Sequence, residues 1–249
     1  MLTDATISKM RDMHLSVMAK SFQDQLNDPK MSELSFEDRV GMLVDSEWLA
    51  RKNNHLNRLI KNAGFADSMA CIENIDYLPD RKLDKSQILA FSSCNYISNC
   101  NNIILMGATG CGKTYLACAL GMAAVRNFYT VKYIRLPDLF IELSMARGNN
   151  TIRKLLNQYK KYSLLIIDEW LLYPLSDSES RDLLEIIEAR AGKASTIFCS
   201  QFDVLGWREK IGDPIVADAV CDRIVHNSYT VIMESKESMR KRKGLKFEE

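Results

Sequence analysis

Eight consecutive residues, Gly107-Ala108-Thr109-Gly110-Cys111-Gly112-Lys113-Thr114, combine three glycines, a lysine and a hydroxyl at a spacing suited to holding phosphate. Without a Cβ, the glycines let successive backbone N–H groups turn inward around anionic oxygens. The apolar run Ile103-Ile104-Leu105-Met106 precedes this loop, and a helix-forming run from Tyr115 to Arg126 follows it. That order aims the positive end of a helix at the same anion. Lys113 is placed to reach β- and γ-phosphates, and the Thr114 hydroxyl to ligate Mg²⁺. The chemistry implied is binding of a nucleoside triphosphate, with residues 107–114 as its phosphate cradle.

A second group of chemically capable residues lies downstream. The run Leu164-Leu165-Ile166-Ile167 ends in Asp168 and Glu169. A carboxylate at the C-terminal edge of a buried strand lies beside such a loop, where Asp168 is expected to hold the Mg²⁺ shell. Glu169 is then placed to polarise a water for attack on the γ-phosphorus. Hydrolysis also calls for a polar group near that water and a cation for the developing charge. Ser200 or Gln201, at the end of another apolar run, supplies the first. Arg223 and Arg240 are candidates for the second, against the plainer reading of solvated surface arginines.

The elements that must position these groups follow from periodicity. From residue 102 onward, short apolar runs at 103–106, 131–135, 164–168, 196–200 and 230–233 alternate with helical stretches. This predicts an α/β core with a parallel five-stranded sheet covered on both faces. Residues 1–70 lack strand signals. Leu15, Met18, Phe22 and Leu26 fall at helical spacing until Asn27-Asp28-Pro29, and a second helix starts at Ser35, with Asp38 completing a cap, and ends near Gly64. The expected organisation is a small all-helical N-terminal domain at 1–70 and a nucleotide-binding domain at 71–249.

The seven cysteines contain no CxxC pair and the three histidines lie far from any cysteine pair, which argues against zinc and for a reducing, cytoplasmic setting. No apolar run approaches membrane-spanning length, so no membrane partner is expected. A net charge of +1 decides nothing about nucleic acid, but its distribution is uneven. Basic residues gather at Arg51, Lys52, Arg58 and Lys61, at Arg147, Arg153, Lys154, Lys160 and Lys161, and at Lys241, Arg242 and Lys243.

Together these segments resemble the IstB-type ATPases that assist insertion-sequence transposition, AAA+ proteins related to the DnaC-type loaders of replicative helicases. The resemblance is carried by Leu34-Ser35-Phe36-Glu37-Asp38-Arg39, the phosphate loop, Asp168-Glu169-Trp170-Leu171-Leu172, Gly212-Asp213-Pro214-Ile215-Val216-Ala217-Asp218-Ala219, Asp222-Arg223-Ile224-Val225-His226-Asn227 and Glu237-Ser238-Met239-Arg240-Lys241. It implies an AAA+ core with ATP lying between neighbouring subunits. Lys113 and Thr114 then match the Walker A pair, Asp168 and Glu169 the Walker B pair, Gln201 the first sensor, Arg223 a finger acting on a neighbour's ATP, and Arg240 the second sensor. Relatives often carry Asn where this chain has Gln201, and Pro where it has Ala108. Only nine residues follow Arg240, so no C-terminal helical lid is expected.

The resulting expectation is an ATPase that uses ATP and Mg²⁺, self-assembles into an ATP-dependent oligomer on duplex DNA, and recruits or activates a DDE-type transposase. A helicase loader of the DnaC type is the alternative. DNA is expected to meet Arg147, Arg153 and Lys154, with Arg51, Lys52 and Arg58 as a second surface. Phosphate contacts of this kind carry little sequence preference.

Overall fold

The computed structural model describes residues 2–235 and 238–243. Two compact units divide at Arg58/Leu59, inside a long helix, whereas the sequence reading places its boundary at residue 70.

The first unit holds α1 (Leu2–Asp12), α2 (Ser16–Asn27) and most of α3 (Phe36–Ala63). Ser35 caps α3: its hydroxyl accepts from Asp38 N–H at 3.1 Å and donates to Asp38 Oδ2 at 2.8 Å. The sequence pattern singles out α2 but not α1; the two helices are separated at His14, where φ is +59°. Glu47 of α3 is buried and accepts from Val17 and Met18 N–H, both at 3.0 Å. A carboxylate there satisfies two of the unpaired donors that every helix N-terminus presents. Arg51 also donates to Glu47, at 2.8 Å, and this bond leads the effects that hold the carboxyl below its usual range.

The second unit is built on a five-stranded parallel sheet of β1 (Asn102–Met106), β2 (Val131–Arg135), β3 (Leu164–Trp170), β4 (Ser195–Ser200) and β5 (Ser228–Ile232), ordered β2-β3-β4-β1-β5. The crossovers are α6 (Lys113–Arg126), α7 (Leu136–Gly148), α8 (Ile152–Lys161), α9 (Asp177–Arg190), α10 (Val204–Ile211) and α11 (Pro214–Val225). Two short helices, α4 (Lys85–Ser92) and α5 (Asn95–Ser98), precede β1, and α12 (Met239–Lys243) follows β5. Strands β1, β3 and β4 are buried along nearly their whole length, as their largely apolar runs require. Edge strand β5 is mostly exposed, burying only Val231.

Helix α6 lies close against the sheet at Gly121. A Cβ there would stand 2.5 Å from the Phe65 ring and 2.7 Å from Ile166 Cδ1. Phe65 thus packs with the second unit, consistent with a contact boundary earlier than residue 70. On the other side, Trp170, Phe198 and Trp207 stack edge to face, with Trp170 and Phe198 ring centroids 4.6 Å apart. No described helix is long and apolar enough to cross a membrane.

Candidate functional site

The phosphate loop joins the end of β1 to the start of α6. Gly107, Gly110 and Gly112 all have positive φ. At Gly107 a Cβ would stand 2.1 Å from Met233 O, so no other residue fits there without moving the backbone. Lys113 is buried and donates to Gly107 O at 2.6 Å and Ala108 O at 2.9 Å, folding its ammonium over the loop.

Thr114 and Asp168, far apart in the chain, meet here. Thr114 Oγ1 donates to Asp168 Oδ2 at 2.7 Å, and Tyr133 Oη donates to the same oxygen at 2.8 Å. Tyr133 comes from β2 and was not singled out by the sequence pattern. Burial, reinforced by the Asp168 charge, raises the Tyr133 pKa well above the ordinary phenol range, so it remains a donor. Asp168 Oδ1 accepts from Glu169 N–H at 2.8 Å.

That last bond has a cause in the sheet. Ile167 pairs with Phe198, but the next pairing is Trp170 with Ser200, so β3 carries one residue more than β4 across this step. The extra residue makes a bulge, which frees a backbone N–H and bends the strand. Glu169 adopts φ +55°, a strained value for a side chain with a Cβ. Its carboxylate faces Arg135 Nη1 at 3.8 Å, an exposed and long ion pair. Arg135 in turn is held by Asp138 at 2.8 Å.

Of the two polar residues ending β4, Gln201 reaches the loop: Thr109 Oγ1 donates to its Oε1 at 2.8 Å. Ser200 is fully buried and serves the aromatic cluster, accepting from Trp207 Nε1 at 2.8 Å and donating to Phe202 O at 2.9 Å. Arg223 is not brought to the loop. On α11 it donates to Glu188 of α9 at 2.6 Å and to Ala219 O at 2.8 Å. Arg240 falls in α12, and its side chain lies outside the described residues.

A cavity of about 470 Å³ opens from the loop. Gly110, Gly112, Lys113, Thr114 and Tyr115 line one side, and Ala66, Asp67, Asn74, Ile75, Asp76 and Arg81 the other. The sequence pattern assigns no element to this second wall. It is irregular, with turns at Ile72–Asn74 and Pro79–Arg81, and has no periodicity to reveal it. Among the described residues no three His, Cys, Asp or Glu side chains gather into a metal site. A hard divalent ion beside Thr114 and Asp168 would take most of its oxygen ligands from phosphate and water, which suits Mg²⁺.

The basic residues divide by environment. Arg153, Lys154 and Lys161 form the exposed face of α8, whose Leu156 and Tyr159 are buried. Arg147 instead bonds Asp182 of α9. In the first unit Arg51 is engaged by Glu47 and His14 O, Lys52 lies 3.9 Å from the Trp48 ring centroid, and Arg58 is exposed.

A family described as IstB-like ATP binding protein matches residues 8–246. The putative insertion sequence ATP-binding protein y4pL of Sinorhizobium fredii is 37% identical over 241 residues, covering 97% of this chain and 98% of its own. The putative ATP-binding protein of insertion sequence IS1162 from Pseudomonas fluorescens is 39% identical over 201 residues, covering 81% of this chain and 87% of its own. Among solved structures, AMPPCP-bound DnaA from Aquifex aeolicus aligns with TM-score 0.58 at 21% identity, over 71% of this chain and 53% of that one. The DnaC helicase loader aligns with TM-score 0.56 at 18% identity, over 66% and 97%. These structural likenesses bear on the fold, the sequence relatives on descent: the chain belongs to the IstB-like ATP binding protein family and is a P-loop ATPase with the AAA+ fold.

Proposed function

We propose that this ATPase assembles on duplex DNA in an ATP-dependent oligomer and recruits or activates a partner transposase of the DDE type. The observation that carries this reading is relatedness over nearly the whole chain, first unit included, to proteins described as insertion sequence ATP-binding proteins. The exposed cations of α8, Arg153 and Lys154, support backbone contact with DNA, and Arg147 would join them on release from Asp182. Arg51, Lys52 and Arg58 are a second candidate surface. The second reading, a helicase loader, rests on the DnaC-like fold alone.

In the site, Lys113 and the loop N–H groups would neutralise the phosphates. Thr114 and Asp168 would hold Mg²⁺, which when bound supplies further positive charge to the phosphate oxygens. Glu169 would orient and deprotonate the attacking water, with Gln201 holding the loop beside it. The contact of Gln201 with Thr109 and the burial of Ser200 favour Gln201 as the first sensor. Arg223 would serve a neighbouring subunit's ATP, and Arg240 its own.

The test is electron microscopy of the protein with duplex DNA and either ATP or ADP, together with pull-down of a transposase encoded beside it. DNA-bound oligomers that require ATP and retain the transposase are expected. ATP-independent monomers that ignore both partners would overturn the reading.

A further inference from the structure

One charged side chain in the cavity wall is unaccounted for by the phosphate loop chemistry. Arg81 is only 4% exposed. Its Nη1 donates to Asp76 O at 2.6 Å and its Nη2 to Cys111 O at 2.9 Å. Nε is buried without a hydrogen-bond partner. Asp76 belongs to the wall opposite the loop, and Cys111 to the loop itself. One guanidinium therefore spans the two sides of the cavity that it lines.

The choice of residue is costly. Burial lowers the Arg81 pKa, a direction that records a disfavoured charge, although Asp76 partly opposes it. A cation removed from water and bonded to carbonyls recovers only part of its desolvation cost. A neutral donor would tie two carbonyls more cheaply. A short neutral amide, however, lacks the planar fork of fixed donors with which the guanidinium reaches both walls at once. The same turn also anchors the C-terminal flank: Arg81 O accepts from Glu234 N–H at 3.3 Å, Lys82 pairs with Glu234 at 2.7 Å, and Asp80 pairs with Arg242. Met239 N–H completes the tie by donating to Gly110 O at 2.8 Å.

We infer that Arg81 is a positioning residue that locks the nucleoside-side wall, residues 66–81, to the phosphate loop, so that the nucleoside and the phosphates are bound as one. This rests on reading residues 107–114 as the phosphate cradle and the adjoining cavity as the nucleoside's place. Disengaging Arg81 uncouples the two halves. The loop still takes phosphate, but the nucleoside no longer adds its share of affinity.

The experiment is calorimetric titration of the full chain with ATP and with inorganic tripolyphosphate, for wild type, Arg81→Gln and Arg81→Lys. Wild type is expected to prefer ATP, and Arg81→Gln to cut that preference by about tenfold, with Arg81→Lys between them. A general loss of structure would weaken both ligands alike and lower the melting temperature of the unliganded protein. An unchanged preference in a folded Arg81→Gln protein, or no preference in wild type, overturns the inference. Should Arg81→Gln fail to fold, Arg81→Lys decides by the same criterion. Lys113→Ala is the separate control: it should weaken both ligands, and if it weakens neither, the phosphate-cradle reading fails whatever Arg81 does.

Discussion

Asp168 and Arg223 carry opposite charges and are held in opposite ways. The Asp168 carboxylate is buried and receives three hydrogen bonds, from Thr114, Tyr133 and the Glu169 backbone. Arg223 is tied to Glu188 across a partly exposed pair and to its own helix. Hydrogen bonds to a charged group are worth roughly 1.5–3 kcal/mol each, whereas exposed ion pairs contribute about 0–1 kcal/mol. Releasing Arg223 therefore costs little, and moving Asp168 costs much. The lesson is that this chain holds the proposed phosphate and metal side of its site together internally and keeps its candidate catalytic cation on a readily exchanged surface contact. That is the arrangement expected if the cation acts on another subunit.

The sharpest way to break the comparison is to remove each side in turn. Lys113→Ala is expected to abolish measurable ATP binding, seen as loss of the calorimetric signal. Glu169→Gln should bind ATP normally but lose about 10²–10⁴-fold in turnover, the range of a missing general base. Arg223→Ala should lose on the order of 10³-fold in turnover while the isolated subunit retains its nucleotide affinity. If Arg223→Ala hydrolyses like wild type, the outward-held arginine is only a surface ion pair.

The sequence exposed the two sides of this comparison unequally. Residues 107–114 and Asp168-Glu169 were legible because each group is contiguous and sits where an apolar strand ends, and all five strands fall near their expected places. The Ser35 cap was legible because it spans one turn. Tyr133, Arg81 and the cavity wall were not, because Tyr133 meets Asp168 and Arg81 meets Cys111 across about 30 residues or more and the wall is aperiodic. The Glu169 bulge was hidden too, since a bulge is a register relation between strands and not a residue pattern. Arg147 looked equivalent to Arg153 in sequence, but Asp182 separates them.

Two smaller effects sharpen the account. Neutralising Arg153 and Lys154 together should flatten the slope of log affinity for duplex DNA against log salt by about 2, alike on every sequence, with ATP binding intact. An unchanged slope would move the DNA surface to the Arg51, Lys52 and Arg58 cluster. Tyr133→Phe removes one of three donors to Asp168 and should raise the Mg²⁺ concentration needed for tight ATP binding by about 10-fold, the low end of what one hydrogen bond to a charged group allows. ATP binding without Mg²⁺ should not change, which separates loosening of Asp168 from damage to the loop.

The central claim is that the site is completed between subunits, and mixing tests it most directly. Arg223→Ala keeps the phosphate cradle but lacks the cation, and Lys113→Ala keeps the cation but cannot hold ATP. Each alone should be nearly inactive. Combined with DNA, under conditions where mixed assemblies form, they should recover a substantial part of wild-type hydrolysis, because some interfaces pair an intact cradle with an intact arginine. Mixed assemblies that form stably yet hydrolyse no faster than the two variants apart would contradict a shared site.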